Sequence, residues 1–245
     1  MQSRPESRFG RALSIVGRQT LRIVLPSWCI VCEAELPWRD RTASCCANCW
    51  ASLPRIETGR CNSCAIPLAA GASLCIECIA DPLPVDWCEA WGQYRDGLAR
   101  LLQALKFERH DFLDDALAGL LDERMRDRGF DAIAAVPMPR KKERRRGYNQ
   151  AELLARALSR RTGIACDMTL LERRGDRAPQ STLARRAERA KNARGAFAAT
   201  DAANGKSVLV VDDICTTGAT LRACAEALRE AGAARVCTIA VARAL

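Results

Sequence analysis

Eight cysteines fall into four Cys-x-x-Cys pairs: Cys29/Cys32, Cys46/Cys49, Cys61/Cys64 and Cys75/Cys78. Each pair fits a tight knuckle that brings two thiolates onto one metal ion. Two knuckles close a tetrahedral four-thiolate site. Taken in order, the first two pairs predict one zinc ribbon and the last two another. Disulfides are the rival chemistry, and a reducing compartment disfavours them. A redox pair would sit singly at the start of a helix. No His, Asp or Glu offers an open coordination position, so the expected zinc is structural, one ion in each of two sites. Cys45 adjoins Cys46 but has the wrong spacing to Cys49. Cys88, Cys166, Cys215, Cys224 and Cys237 read as small apolar fillers.

The second constellation is VLVVDDICTTGATL, residues 208–221. An apolar strand ends in Asp212 and Asp213, a short Thr/Gly loop follows, and then a helix begins. Loop amides and a helix N-terminus suit one phosphate, and the hydroxyls of Thr216, Thr217 and Thr220 add donors. Gly218 lets the backbone approach closely. Two carboxylates before the loop suit sugar hydroxyls, or a divalent metal held through water. Phosphate, ribose and metal together describe a phosphoribosyl group. An ordinary strand–turn–helix explains Thr and Gly but not two acids on an apolar strand end. The loop has neither Gly-Lys-Ser/Thr nor Gly-x-Gly-x-x-Gly, so it is not a nucleoside-triphosphate or dinucleotide loop of those kinds.

These groups need a frame. The chain has 245 residues, 49% of them apolar and 27% charged, a mix that folds as one medium domain plus a small module and excludes wholesale disorder. No apolar run reaches membrane-spanning length. The stretch 13–25 is broken by Arg18, Gln19, Thr20 and Arg22 and lacks the apolar core of a secretory signal, so a cytoplasmic protein is expected. The net charge is +9, but residues 137–195 carry 17 Lys and Arg against 6 Asp and Glu. Basicity this local points to an anionic partner near that segment.

Residues 1–28 read as a short basic amphipathic helix running up to Pro26. Residues 29–80 read as the double zinc ribbon, a length and composition that need a metal staple. Residues 81–92 read as a connector. A domain over 90–245 follows. Leu98, Leu101, Leu102 and Leu105 repeat at helical spacing, and a second helix is expected at about 112–127. Strands are expected at 131–137, 166–171, 207–213 and 235–242, with helices at 150–161 and 219–231. Near-continuous apolar strands alternating with helices imply an α/β fold with a parallel, doubly wound sheet. The Cys pairs are the sequence's one internal repeat. His110 has no partner motif.

Apolar strand, Asp-Asp, two residues, then Thr-Thr-Gly-x-Thr resembles the phosphoribosyl-pyrophosphate (PRPP) signature of type I phosphoribosyltransferases. The upstream zinc pairs and RRRGYNQAELLA at 144–155 narrow the resemblance to the ComF/GntX family of competence-associated proteins. LLQALKF at 101–107, VPMP at 136–139, Gln180 and ERAKNARGAF at 188–197 extend it over nearly the whole chain from Cys29. The resemblance implies PRPP as ligand with Mg2+ as cofactor. It implies that Asp212 and Asp213 take the ribose hydroxyls, as the catalytic acids. Thr216, Thr217, Gly218, Ala219 and Thr220 would cradle the 5′-phosphate. The loop after strand 131–137, with Arg140 and Lys141, would lie near the pyrophosphate. Arg146, Gly147, Asn149 and Gln150 form the family's second motif and would line the same cleft. Purine-salvage relatives of the hypoxanthine type carry an acid where Thr216 stands, so a purine acceptor gains no support. Partners in the competence machinery are implied as well. Two other readings share the fold: a factor that binds single-stranded DNA or other nucleic acid without turnover, and a regulator that senses PRPP.

Overall fold

The computed structural model describes residues 27–37, 44–57, 59–69, 71–107, 113–174 and 195–245. The helix expected over 1–28 lies outside these except for its last two residues, of which Trp28 bridges to Glu35. His110 and Gln180 also lie outside them, as does most of 188–197. The chain divides into two compact units, Met1–Leu53 and Pro54–Leu245, so the division falls between the two cysteine ribbons.

In the first unit Cys29 and Cys32 sit on a turn closed by the antiparallel Trp28–Glu35 bridge. A short helix, α1 (Ala47–Ala51), starts directly after Cys46. In the second unit the pattern repeats: the Arg60–Pro67 bridge closes the turn of Cys61 and Cys64, and α2 (Ile76–Ala80) starts directly after Cys75. The sequence shows paired cysteines; the structure extends the repeat to the backbone around them.

The next segment departs from the expected connector. Trp87–Gln93 is a strand, β1, buried along all but its last residue. The pattern is hard to read because Glu89 interrupts it. That side chain has no exposed area, and Arg60 and Arg126 neutralise it, each Nε lying 2.7 Å from a carboxylate oxygen. Helix α3 (Asp96–Phe107) buries Leu98, Leu101, Leu102 and Leu105, as their spacing requires. Helix α4 (Leu113–Arg124) follows, then strand β2 (Ala132–Ala135), helix α5 (Arg140–Arg146) and helix α6 (Gln150–Thr162).

The strand expected at 166–171 is reduced to a parallel bridge between Cys166 and Ile133. The Asp167 carboxylate accepts from the Thr169 amide at 2.9 Å and its hydroxyl at 2.6 Å, a local turn that competes with sheet pairing. Strand β3 (Leu171–Arg173) instead pairs antiparallel with β4 (Phe197–Ala199). Strand β5 (Ser207–Cys215), helix α7 (Ala219–Glu230) and strand β6 (Arg235–Arg243) complete the domain.

The main sheet has the order β1-β6-β5-β2, every pair parallel. From β2 the chain moves outward to Cys166; from β5 it moves the other way to β6. Right-handed crossovers in opposite directions place α6 and α7 on opposite faces, which makes the sheet doubly wound. The reversal lies between β2 and β5. In open α/β sheets, ligands bind outside the carboxyl ends of the strands at that point. No helix among the described residues is long and apolar enough to cross a membrane.

Candidate functional site

Strand β5 runs buried from Val208 to Val211 and delivers two carboxylates to the reversal point. The Asp213 amide donates to Asp212 Oδ1 at 2.8 Å. Asp213 Oδ2 meets Lys106 Nζ, at the end of α3, at 2.6 Å. Burial, and then the neighbouring Asp213 charge, hold the Asp212 carboxyl well above the usual carboxylate range. Lys142 on α5 lies in the same field. The side chain as a whole is exposed, but partial desolvation of its ammonium end, then Arg146 and Lys106, push that group down, while Asp213 pulls the other way. The acids thus face a cationic group built from α3 and α5. Arg146 stacks over the exposed Phe107 ring, 4.9 Å from its centroid, and donates to Gln150 Oε1.

The loop after β5 has the form its residues imply. Thr216 and Thr220 are exposed and Thr217 is half-buried. Thr217 Oγ1 accepts from the Ala219 amide at 3.3 Å as α7 begins. Gly218 turns the chain at φ 78°, a left-handed conformation that a residue with a Cβ adopts at a cost.

On the neighbouring strand the Val136 amide donates to Val211 O at 3.0 Å, which sets Pro137–Pro139 alongside the acids. The sequence led to a loop carrying Arg140 and Lys141. The structure makes RKKERRR a seven-residue helix instead, with Pro139 at its N-cap and Gly147, at φ 89°, at its C-cap. Arg and Lys are good helix formers, and the two caps delimit it. Lys141 and Gly147 are exposed.

Asn149 is buried. Its Nδ2 donates to Val136 O at 3.0 Å, and its Oδ1 caps α6 by accepting from the Ala151 amide at 3.1 Å. It therefore ties the end of β2 to the start of α6. Gln150 is 2% exposed. A cavity of about 500 Å³ opens beside the end of β2, bordered by Met138, Arg140, Asn149, Met168 and Arg173. The sequence-selected residues therefore divide: Arg146 joins the acids, while Arg140 and Asn149 face this second space. In the sequence Lys106 is only one residue of LLQALKF. No local signal pairs it with Asp213, because the contact joins distant parts of the chain.

The cysteines form two groups, Cys29/Cys32/Cys46/Cys49 and Cys61/Cys64/Cys75/Cys78, each with its sulfurs within 4.8 Å of one another. Four thiolates at a Zn–S distance of about 2.3 Å lie about 3.8 Å apart in a tetrahedron. Cys32 and Cys46 are 3.9 Å apart, and Cys64 and Cys75 are 3.8 Å apart. The donor sets therefore fit zinc. Burial raises the Cys29 thiol, but the amides of Cys46, Cys32 and Val31 outweigh it and bring it to about 6. Cys61 is treated in the same way, by the amides of Cys75, Cys64 and Ser63, and falls to about 7. Cys45 stays outside its cluster; burial, then the Cys29 charge, push it up to about 12.

Residues 113–245 match the family described as phosphoribosyl transferase domain. Residues 20–79 match the double zinc ribbon domain. The chain is 30% identical over 221 residues to the DNA utilization protein YhgH of Salmonella typhimurium, covering 87% of this chain and 96% of that protein. It is 29% identical over 233 residues to competence protein ComFC of Streptococcus pneumoniae, covering 92% of this chain and 97% of that one. Among solved structures, the allosteric regulatory enzyme of purine biosynthesis aligns with a TM-score of 0.40 and 23% identity, over 57% of this chain and 30% of that chain.

Proposed function

The chain belongs to the ComF family, which joins a double zinc ribbon to a type I phosphoribosyltransferase domain, and from that premise we propose that it binds PRPP and transfers its phosphoribosyl group to an acceptor. One observation carries the reading. An acid pair at the reversal point of a doubly wound sheet precedes a Thr-Thr-Gly loop and faces cations from two other elements.

In this reading the loop amides and Thr hydroxyls hold the 5′-phosphate. Asp212 and Asp213 accept from the ribose hydroxyls. Two carboxylates are hard oxygen donors that fit Mg2+, directly or through water. Held there, such an ion would neutralise leaving-group charge. Transfer breaks the bond from C1 to the diphosphate and forms one from C1 to the acceptor. Lys106, Lys142 and Arg146 supply positive charge toward the diphosphate, and the fold supplies position. The relatives' names support a link to DNA utilization or competence, and a cytoplasmic site of action is part of the same reading.

Titration calorimetry tests the site. With Mg2+, wild type should bind PRPP; Asp213→Asn should weaken it about ten- to hundredfold, as loss of a charge-assisted hydrogen bond implies, and Asp212→Asn should weaken it as well. Thr217→Ala should weaken PRPP and ribose 5-phosphate alike. Neutralising Lys142 and Arg146 should weaken PRPP and spare ribose 5-phosphate. If wild type binds neither ligand at millimolar concentration, the reading fails.

A second reading, nucleic-acid binding without turnover, is favoured by α5, where Arg140, Lys141, Lys142, Arg144 and Arg145 are all exposed. Single-stranded DNA affinity should then fall steeply with salt through counterion release. A flat salt response would exclude it.

A further inference from the structure

The phosphate loop is gripped from behind by a part of the molecule the proposed chemistry does not use. Arg243, the last residue of β6, is 1% exposed. Its Nε donates to the carbonyl of Cys64 at 2.9 Å, within the second cysteine cluster. Its Nη1 donates to the carbonyls of Cys215 at 3.1 Å, Thr216, and Ala244 at 2.6 Å. A guanidinium is permanently charged, so burying it requires acceptors in the plane of its fork. Apart from Ala244, its own neighbour in the chain, those acceptors come from two places: the knuckle of the cluster and the start of the phosphate loop.

Two more contacts join the same parts. Ser63, between the two knuckle cysteines, accepts from the Leu83 amide at 2.9 Å. The Leu83 methyls lie 3.6 Å from where a Cβ on Gly218 would stand, at the bend of the loop. Arg222, in the first turn of α7, donates to Asp81 O at 2.8 Å and pairs with its carboxylate at 3.2 Å. The ribbon side therefore meets the loop where it begins, where it bends and where its helix starts.

We propose that Arg243 is a positioning residue that makes the second cysteine cluster the support of the phosphate loop, so that metal held by Cys61, Cys64, Cys75 and Cys78 sets how firmly the loop holds a phosphate. The proposal rests on the PRPP reading only for the identity of the ligand; the coupling itself is a property of the backbone. With four thiolates on one ion, the Cys64 carbonyl has a fixed place and Arg243 spans it and Cys215–Thr216 together. Without the ion the knuckle relaxes, one acceptor moves away, and the loop carbonyls lose their anchor. The amides of residues 216–220 then lose the alignment that a phosphate needs.

Hydrogen exchange on the full-length chain tests this, with the β2 amides as internal reference. Cys75→Ser should speed exchange at 216–220 about tenfold or more while β2 stays protected, and should weaken ribose 5-phosphate by a similar factor. Arg243→Lys keeps the charge but cannot span both groups of carbonyls. It should speed loop exchange with zinc still bound, counted by native mass spectrometry. Unchanged loop exchange in Cys75→Ser with β2 protected overturns the proposal. If Cys75→Ser unfolds the domain, Arg243→Lys decides: loop exchange equal to wild type overturns it. Wild type that binds no ribose 5-phosphate yet shows the exchange coupling would refute the PRPP reading and leave the coupling standing.

Discussion

In the first ribbon the Cys29 amide donates to Ala34 and the Glu33 amide donates back to Cys29; in the second, Cys61 donates to Ile66 and Ala65 donates back to Cys61. Glu33 at φ 62° and Ala65 at φ 59° take the same left-handed turn. In each ribbon the first cysteine is the one whose thiol the knuckle amides depress. Locally the two are copies. Their settings differ. The first ribbon belongs to the unit Met1–Leu53, with Cys32 exposed. The second belongs to the unit Pro54–Leu245, and Arg60, Ser63 and Cys64 each bond into the body of the domain. A metal knuckle is therefore a short-range structure, and what it supports depends on the side chains around it.

The sharpest test of this contrast is to remove one ligand from each ribbon. Cys61→Ser should lower the thermal transition of the second unit by well over about 10 °C, since structural zinc carries many kcal/mol of folding free energy and the ribbon shares that unit's core. Cys29→Ser should leave that transition in place and lose one zinc. Equal effects in calorimetry would break the contrast.

Glu89→Gln removes the carboxylate that two arginines surround and leaves both clusters intact. Breaking a buried pair costs about 3 kcal/mol, which at about 2–4 °C per kcal/mol predicts a fall of about 6–12 °C in the second unit. Zinc content should stay at two. Loss of zinc with this substitution would show that Glu89 serves the knuckle and not the join.

Gly218→Ala forces a side chain into a left-handed backbone at a cost of about 1–2 kcal/mol. The added Cβ meets Leu83 only at ordinary contact distance. Gly163, at φ 75° with nothing within 4 Å, should cost the same in stability when changed to Ala. Only the change at 218 should weaken ribose 5-phosphate; equal weakening by both would detach the loop's geometry from its ligand.

The smallest effect belongs to a pair outside both ribbons. Arg235 hydrogen-bonds Asp127 through Nη1 at 2.9 Å and Nη2 at 2.5 Å, which brings the carboxyl down to about 2 from 3.8. A depressed carboxyl stabilises the fold above its unfolded value and loses that contribution as pH falls through the folded one. Stability of the second unit should therefore decline between about pH 4 and pH 2, and Asp127→Asn should flatten part of that slope. Solvent screening keeps the contribution small. An unchanged acid profile in the variant would place the sensitivity elsewhere.

Spacing alone determined the cysteine groups, the Asp-Asp loop, the apolar strands and the helix through Leu98–Leu105, because each is set by residues near one another in the chain. A knuckle needs two cysteines three apart, and a phosphate loop needs one strand end and one helix start. Tertiary structure decided the rest. It made Trp87–Gln93 a strand, because the arginines that neutralise Glu89 come from residues 60 and 126. It joined Lys106 to Asp213 and divided Arg146 from Arg140, because three elements meet only where the sheet order reverses. It set Arg243 between Cys64 and Thr216, since a buried charge must find acceptors wherever the folded chain brings them, and no local spacing records which they are.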